Sequence, residues 1–236
     1  MSRLGNPRVH RRLVDSTNAL AHTLALHGAP HGTLVTATEQ TAGRGRQGRR
    51  WVAPPGSSLL CSLVLREVPR LLPLAAGVAV AEVAGDGARV KWPNDVLLGG
   101  RKLAGILVEG RPQEAWAVLG IGINVAVDVA DLPEELRSQV ATLRRAASEV
   151  DDVLAVLLGS LERWLAASEA DVLGAVRERD ALLGQTVRWS AGAGQAAGID
   201  GDGRLLVRTS RGSVALESGE VHLVGNSPGA PPAAWE

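Results

Sequence analysis

The chain has 236 residues and a mass of 24.6 kDa, room for one well-buried core and a small appendage. Hydrophobic residues at 45% and charged residues at 21% make an ordinary globular composition, and 25 basic against 25 acidic residues leave no net charge, which argues against a polyanion-coating protein. A single cysteine, Cys61, excludes an internal disulfide framework and a thiolate zinc cluster, while the lack of a long apolar run or signal-peptide core predicts a cytoplasmic protein without a membrane span.

Arg8, Arg11 and Arg12 read as a solvated strand or tail. Residues 15–29 open on Asp15, Ser16, Thr17 and Asn18, all N-cap types. Leu20, Ala21, Leu24 and Ala25 then recur at helical spacing up to a stop at Gly28. The β-branched run 33–38 predicts a strand, 39–57 a loop rich in Gly, Arg and Pro, and 58–66 a long apolar strand. A helix is expected over 74–83, its small residues suited to close packing on a sheet. Strand-like runs follow at 90–92, 96–98 and 103–109, the last two joined through Gly99-Gly100, and 115–125 is another buried strand. Residues 150–182 set Val153, Val156, Leu157, Leu161, Trp164 and Leu165 on one stripe, the mark of one or two amphipathic helices. Beyond Gly184, short strands at 186–190, 195–199, 204–208, 213–216 and 221–224 alternate with Gly, Asp and Ser turns. The expected organisation is therefore a main unit over 1–183, a small all-β barrel over 184–225 and a loose tail over 226–236.

The stretch Gly43-Arg44-Gly45-Arg46-Gln47-Gly48-Arg49-Arg50-Trp51 contains a literal GxGxxG. A dinucleotide fingerprint needs a helix opening on its last glycine, yet this one runs into Pro54-Pro55, and its arginines would crowd a pyrophosphate. What remains is a mobile loop carrying four arginines and three glycines, suited to closing over a phosphate-bearing ligand, with Trp51 able to stack on a base. A solvated basic loop is the competing reading.

Only two lysines, Lys91 and Lys102, stand among the 25 basic residues, which suggests positions that want a compact ammonium rather than a guanidinium. Lys91-Trp92-Pro93-Asn94-Asp95 gathers a cation, an amide and a carboxylate on a proline turn. Asp95 is able to meet Mg2+ beside phosphate oxygens, although Pro-Asn-Asp is equally a plain turn signal. Lys102 begins the strand 103–109, either as a surface strand end or as the cation that bridges a carboxylate and a phosphate. Histidines 10, 22, 27, 31 and 222 form no ligand spacing.

Ser16-Thr17-Asn18, GRGRQGRRW (43–51), KWPND (91–95), GRKLAGILVE (100–109), GIGINV (120–125) and Ser218-Gly219-Glu220-Val221, in this order and spacing, resemble the biotin–protein ligases, the biotin–[acetyl-CoA-carboxylase] ligase family of BirA, over nearly the whole chain. The resemblance implies an α+β fold of the class II synthetase and biotin/lipoate ligase kind, a central mixed sheet with helices, followed by a C-terminal SH3-like β-barrel. It implies that biotin and Mg-ATP give biotinyl-5′-AMP, and that a lysine of a biotin carboxyl carrier domain then takes the biotinyl group. Ser16, Thr17, Asn18, Gln40, Gly43, Arg44, Gly45, Arg46, Lys102, Gly105, Leu107 and Gly122 correspond to the family's biotin site. Arg44, Arg46, Arg49, Trp51, Lys91, Asn94, Lys102 and Asn124 correspond to its ATP site, with Trp51 on the adenine. Lys102, Arg46 and Asp95 take the catalytic roles, Asp95 beside Mg2+.

Fifteen residues precede Ser16, too few for the helix-turn-helix domain of the family's repressors, so nucleic acid is not an expected partner and the oligomeric state is expected to be monomer or weak homodimer. A lipoate ligase or octanoyltransferase is the nearest rival, but the latter would need Cys61 as nucleophile, and its LLCSLVL setting reads as core. A non-catalytic nucleotide or biotin sensor is the rival from another class, disfavoured by Lys102 and Asp95.

Overall fold

The protein is described by a computed structural model over residues 4–110, 116–217 and 219–224; the expected tail 226–236 lies outside these. Its elements begin with β1 (Arg8–Val14), α1 (Thr17–Leu26), β2 (Leu34–Gln40), β3 (Ser58–Leu65) and α2 (Leu72–Ala84). β4 (Ala88–Lys91), β5 (Asp95–Leu98), β6 (Arg101–Gly110) and β7 (Ala117–Asn124) follow, then the short α3 (Glu134–Arg137), α4 (Val150–Leu165) and α5 (Glu169–Glu178). The last five strands are β8 (Thr186–Trp189), β9 (Gly192–Ile199), β10 (Leu205–Thr209), β11 (Gly212–Leu216) and β12 (His222–Leu223). The stripe over 150–182 thus resolves into two helices, the second capped by Ser168, whose hydroxyl accepts from the Asp171 amide.

The first seven strands form one mixed sheet in the order β1-β2-β3-β7-β6-β5-β4, parallel only between β1 and β2. β3 is buried along its whole length because helices cover both faces. Leu59, Leu63 and Leu65 belong to the buried cluster that includes α2, α4 and α5, while Val64 belongs to a second one with Ala21 and Ala25 of α1. Ser16, Thr17 and Asn18, at the N-terminus of α1, line a cavity.

The C-terminal strands make a five-stranded antiparallel sheet, β11-β10-β9-β8-β12. Val187, Ala196, Leu205, Val207 and Val221 belong to the same buried cluster as α2 and the central sheet. The Trp92 indole N–H donates to Gly203 O at 2.9 Å, and Arg177 Nε to Ile199 O at 2.9 Å. A sheet this small gains its burial from the larger unit it rests on. No described helix is long and apolar enough to cross a membrane.

Candidate active site

At the N-terminus of α1, the N-cap Ser16 makes no side-chain capping bond, and its own amide goes to Asp15 Oδ1 at 2.7 Å. The end of β2 does the capping instead: Gln40 Oε1 accepts from the Thr17 amide at 2.7 Å and from the Thr17 hydroxyl at 3.1 Å. Asn18 is buried, its Nδ2 donating to Glu109 Oε2 at 2.8 Å and its Oδ1 accepting from Ser62 Oγ at 2.6 Å. Gly120 permits this approach, because a Cβ there would lie 2.0 Å from Asn18 Oδ1. Sequence reasoning passed over Ser62 and Glu109. Their signal was a hydroxyl in the middle of a fully buried strand and a carboxylate near the end of another.

Next to this neutral end, Gly105 of β6 pairs with Gly122 of β7 and makes a bare floor. The Trp51 indole covers both: a Cβ on Gly122 would lie 2.7 Å from its ring, and one on Gly105 3.1 Å. The loop leading to Trp51 folds back on itself. Gly45 N donates to Arg49 O at 2.6 Å and Trp51 N to Gly43 O at 2.9 Å, around a 3-10 turn at Arg46–Gly48 in which Gln47 has a φ of 55°. No helix follows the GxGxxG, as its prolines required. Each loop arginine has an anchor: Arg46 donates to Asn94 Oδ1 at 3.0 Å, Arg44 lies 3.6 Å from Glu109, Arg49 pairs with Glu220 of the C-terminal unit, and Arg50 donates to Thr41 O at 2.8 Å. Glu220, with Gly219 and Val221, carries the small sheet into the cavity wall.

The charged end is built on the turn between β4 and β5. Asn94 is fixed to β6, its Nδ2 donating to Ile106 O at 3.0 Å and its carbonyl accepting from Ile106 N at 2.9 Å. Lys102 Nζ lies 2.7 Å from Asp95 Oδ1, and Lys91 Nζ 4.0 Å from Asp95 Oδ2, so the two lysines share one carboxylate. A register shift lets this happen: Val96 pairs with Ala104 but Leu97 with Lys102, leaving an extra residue in β6. Lys102 and Gly105, three apart, would face opposite ways in a regular strand. The bulge returns them to one face, with Lys102 Nζ 3.5 Å from where a Gly105 Cβ would sit. Burial lowers the Lys91 pKa below its ordinary 10.5, and the positive charges of Lys102 and Arg49 add to that against the attraction of Asp95 and Glu220.

This geometry has counterparts in known proteins. Residues 10–126 match the Biotin/lipoate A/B protein ligase family, and residues 182–224 match the Biotin protein ligase C terminal domain. The Biotin--[acetyl-CoA-carboxylase] ligase of Paracoccus denitrificans is 35% identical, across 89% of this chain and 98% of its own length. The chain belongs to the biotin protein ligases. The Bifunctional ligase/repressor BirA of Bacillus subtilis is 34% identical over 93% of this chain and 75% of that protein. Among solved structures, the biotin protein ligase from Aquifex aeolicus in complex with biotin and ATP superimposes with a TM-score of 0.79 at 29% identity, covering 93% of this chain and 99% of that one. The α+β arrangement of a mixed sheet plus a small C-terminal sheet is that of this ligase fold.

In this biotin protein ligase a single cavity collects Ser16, Thr17, Asn18, Gln40, Arg44, Gly45, Arg46, Arg49, Trp51, Lys91, Asn94, Asp95, Lys102, Gly105, Leu107 and Gly122. Two residues expected there are not in its lining. Asn124, 5% exposed, donates from Nδ2 to Ala141 O at 3.1 Å and accepts from Ser58 Oγ at 3.4 Å, pinning β7 to the segment after α3. Gly43 sits behind Trp51, holding its backbone. The Trp51 indole covers Gly105 and Gly122, and Lys102 Nζ lies 6.0 Å from its ring centroid. Its Nε1 is buried with no hydrogen-bond partner.

A Mg2+ ion needs only one or two protein carboxylates beside phosphate oxygens, and Asp95 is the group that would supply one. Among the described residues no group of three His, Cys, Asp or Glu side chains converges, and the cavity's carboxylates, Asp95 and Glu220, are each taken by a cation. Cys61 lines the cavity, but burial pushes its thiol up to about 12, which keeps it protonated and unreactive.

Proposed function

We propose that the protein activates biotin with ATP and hands the biotinyl group to a lysine of a biotin carboxyl carrier domain. One observation carries this reading: a single cavity joins an uncharged hydrogen-bonding end at Ser16, Thr17 and Gln40 to an end where Lys91, Lys102 and Arg46 gather. The neutral end suits a ureido ring, which a guanidinium would not distinguish. The charged end suits a carboxylate and a triphosphate, two anions that repel unless cations lie between them.

In the first step a carboxylate oxygen of biotin attacks the α-phosphorus in line, and the bond to pyrophosphate breaks. Lys102 is the group within reach of both reactants, where charge develops on the α-phosphate, and Lys91, Arg46 and Arg49 hold the departing phosphates. Trp51 closes the apolar floor under the rings. In the second step a carrier lysine amine attacks the acyl carbon, AMP leaves, and the amine proton passes to solvent or to AMP. The glycine-arginine loop covers the mixed anhydride in between and keeps water from it. Mg2+ arrives on the phosphates of the nucleotide, as part of the substrate. The enzyme works in the cytoplasm, as a monomer or weak homodimer.

The test is exchange of labelled pyrophosphate into ATP with biotin or lipoate added, followed by transfer to an apo carrier domain. Biotin is expected to support both reactions and lipoate neither. Exchange driven by lipoate, or none with biotin, overturns the reading.

A further inference from the structure

Ser62 and Glu109 stand behind the neutral end of the cavity without lining it, and a count of donors and acceptors gives them a joint role. Glu109 as a carboxylate only accepts, so Asn18 must turn its Nδ2 toward Glu109 Oε2, 2.8 Å away. That leaves Asn18 Oδ1 as an acceptor facing Ser62 Oγ at 2.6 Å, and the one hydroxyl hydrogen of Ser62 is spent there. Ser62 Oγ also lies 2.8 Å from Thr17 Oγ1. With the Ser62 hydrogen committed, this contact is favourable only if Thr17 donates, sharing its hydrogen with Gln40 Oε1 at 3.1 Å. Thr17 then has no hydrogen for a ligand and offers lone pairs alone. Ser62 is wholly buried, so no solvent enters to reverse the order.

We propose that Glu109, Asn18 and Ser62 form a polarity relay that holds the Thr17 hydroxyl as an acceptor and so selects a ligand presenting an N–H at that point. The inference rests on the reading of the cavity as a biotin site, since a cyclic urea N–H is such a donor. Ser62 and Glu109 are positioning residues. Glu109 also ties this end to the loop, because its Oε1 lies 3.6 Å from Arg44.

The test is biotin-dependent pyrophosphate exchange by the full chain, comparing wild type, Ser62→Ala, Glu109→Leu and the double variant, on biotin and on biotin methylated at its ureido nitrogens. Each single variant is expected to raise the KM for biotin about tenfold and to shrink discrimination against the methylated urea by about the same factor, with kcat and the KM for ATP within about twofold. The double variant is expected to be no worse than the weaker single one, since a relay breaks once. An unchanged KM for biotin in both single variants, additive losses, or equal damage to the KM for ATP would each overturn the relay while leaving biotin activation intact. Wild-type protein that shows no biotin-dependent exchange would overturn the underlying reading, and the relay with it.

Discussion

The two ends of the cavity are built by opposite means. The neutral end is a set of short hydrogen bonds among buried groups on α1, β2 and β3, where Thr17, Asn18 and Ser62 are all nearly inaccessible. The charged end is a set of ion pairs between half-exposed chains, such as Lys102 with Asp95 and Arg49 with Glu220, drawn partly from a glycine loop and the C-terminal unit. A dipolar group that never changes charge is best read by fixed partners, whose order is set on folding. A reacting centre whose charge moves needs cations held loosely enough to exchange one anion for another, and the resident carboxylates occupy those cations until a substrate arrives.

This contrast is most sharply broken at Lys102. Lys102→Ala is expected to cut adenylate formation about a thousandfold while the hydrogen bonds of the neutral end stay in place; single-turnover kinetics check it. Arg46 sharpens the comparison at the loop. Arg46→Gly removes the bond to Asn94, and the adenylate should then escape, labelling bystander lysines about tenfold more than wild type. Labelling that stays confined to the carrier domain would count against the loop as a cover.

The smallest effect is expected at Lys91, where binding and stability pull apart. Its lowered pKa means that the ammonium costs the folded protein stability at every pH below that value, neutral pH included. The cost fades as pH rises into the ordinary lysine range, where the unfolded chain loses its proton as well. Lys91→Met should therefore raise Tm by about 1–3 °C near neutral pH while raising the KM for ATP several-fold. The gain in Tm should shrink as pH rises toward 10.5, which a pH series of melting curves measures.

Much of this was legible in the chain. The helical stripe of α1, the buried strand β3 and the paired amphipathic helices follow from local patterning, since burial period acts within a few residues, whereas the cap of α1 comes from Gln40 and not from Ser16. The glycine-arginine loop and both lone lysines stood out by composition. The bond from the Asn124 amide to Ala141 O was not legible, since it joins β7 to a distant segment.

The amino-acid order alone thus settled which segments become helices and strands and which side chains carry charge to spare, because those depend on near neighbours. Only the folded chain decided that an extra residue in β6 turns Lys102 onto the face of Gly105, that Trp51 lies on two paired glycines, and that Glu220 reaches Arg49 from another sheet. Register, bulges and contacts between distant segments are set by how whole elements pack, and no local pattern encodes that.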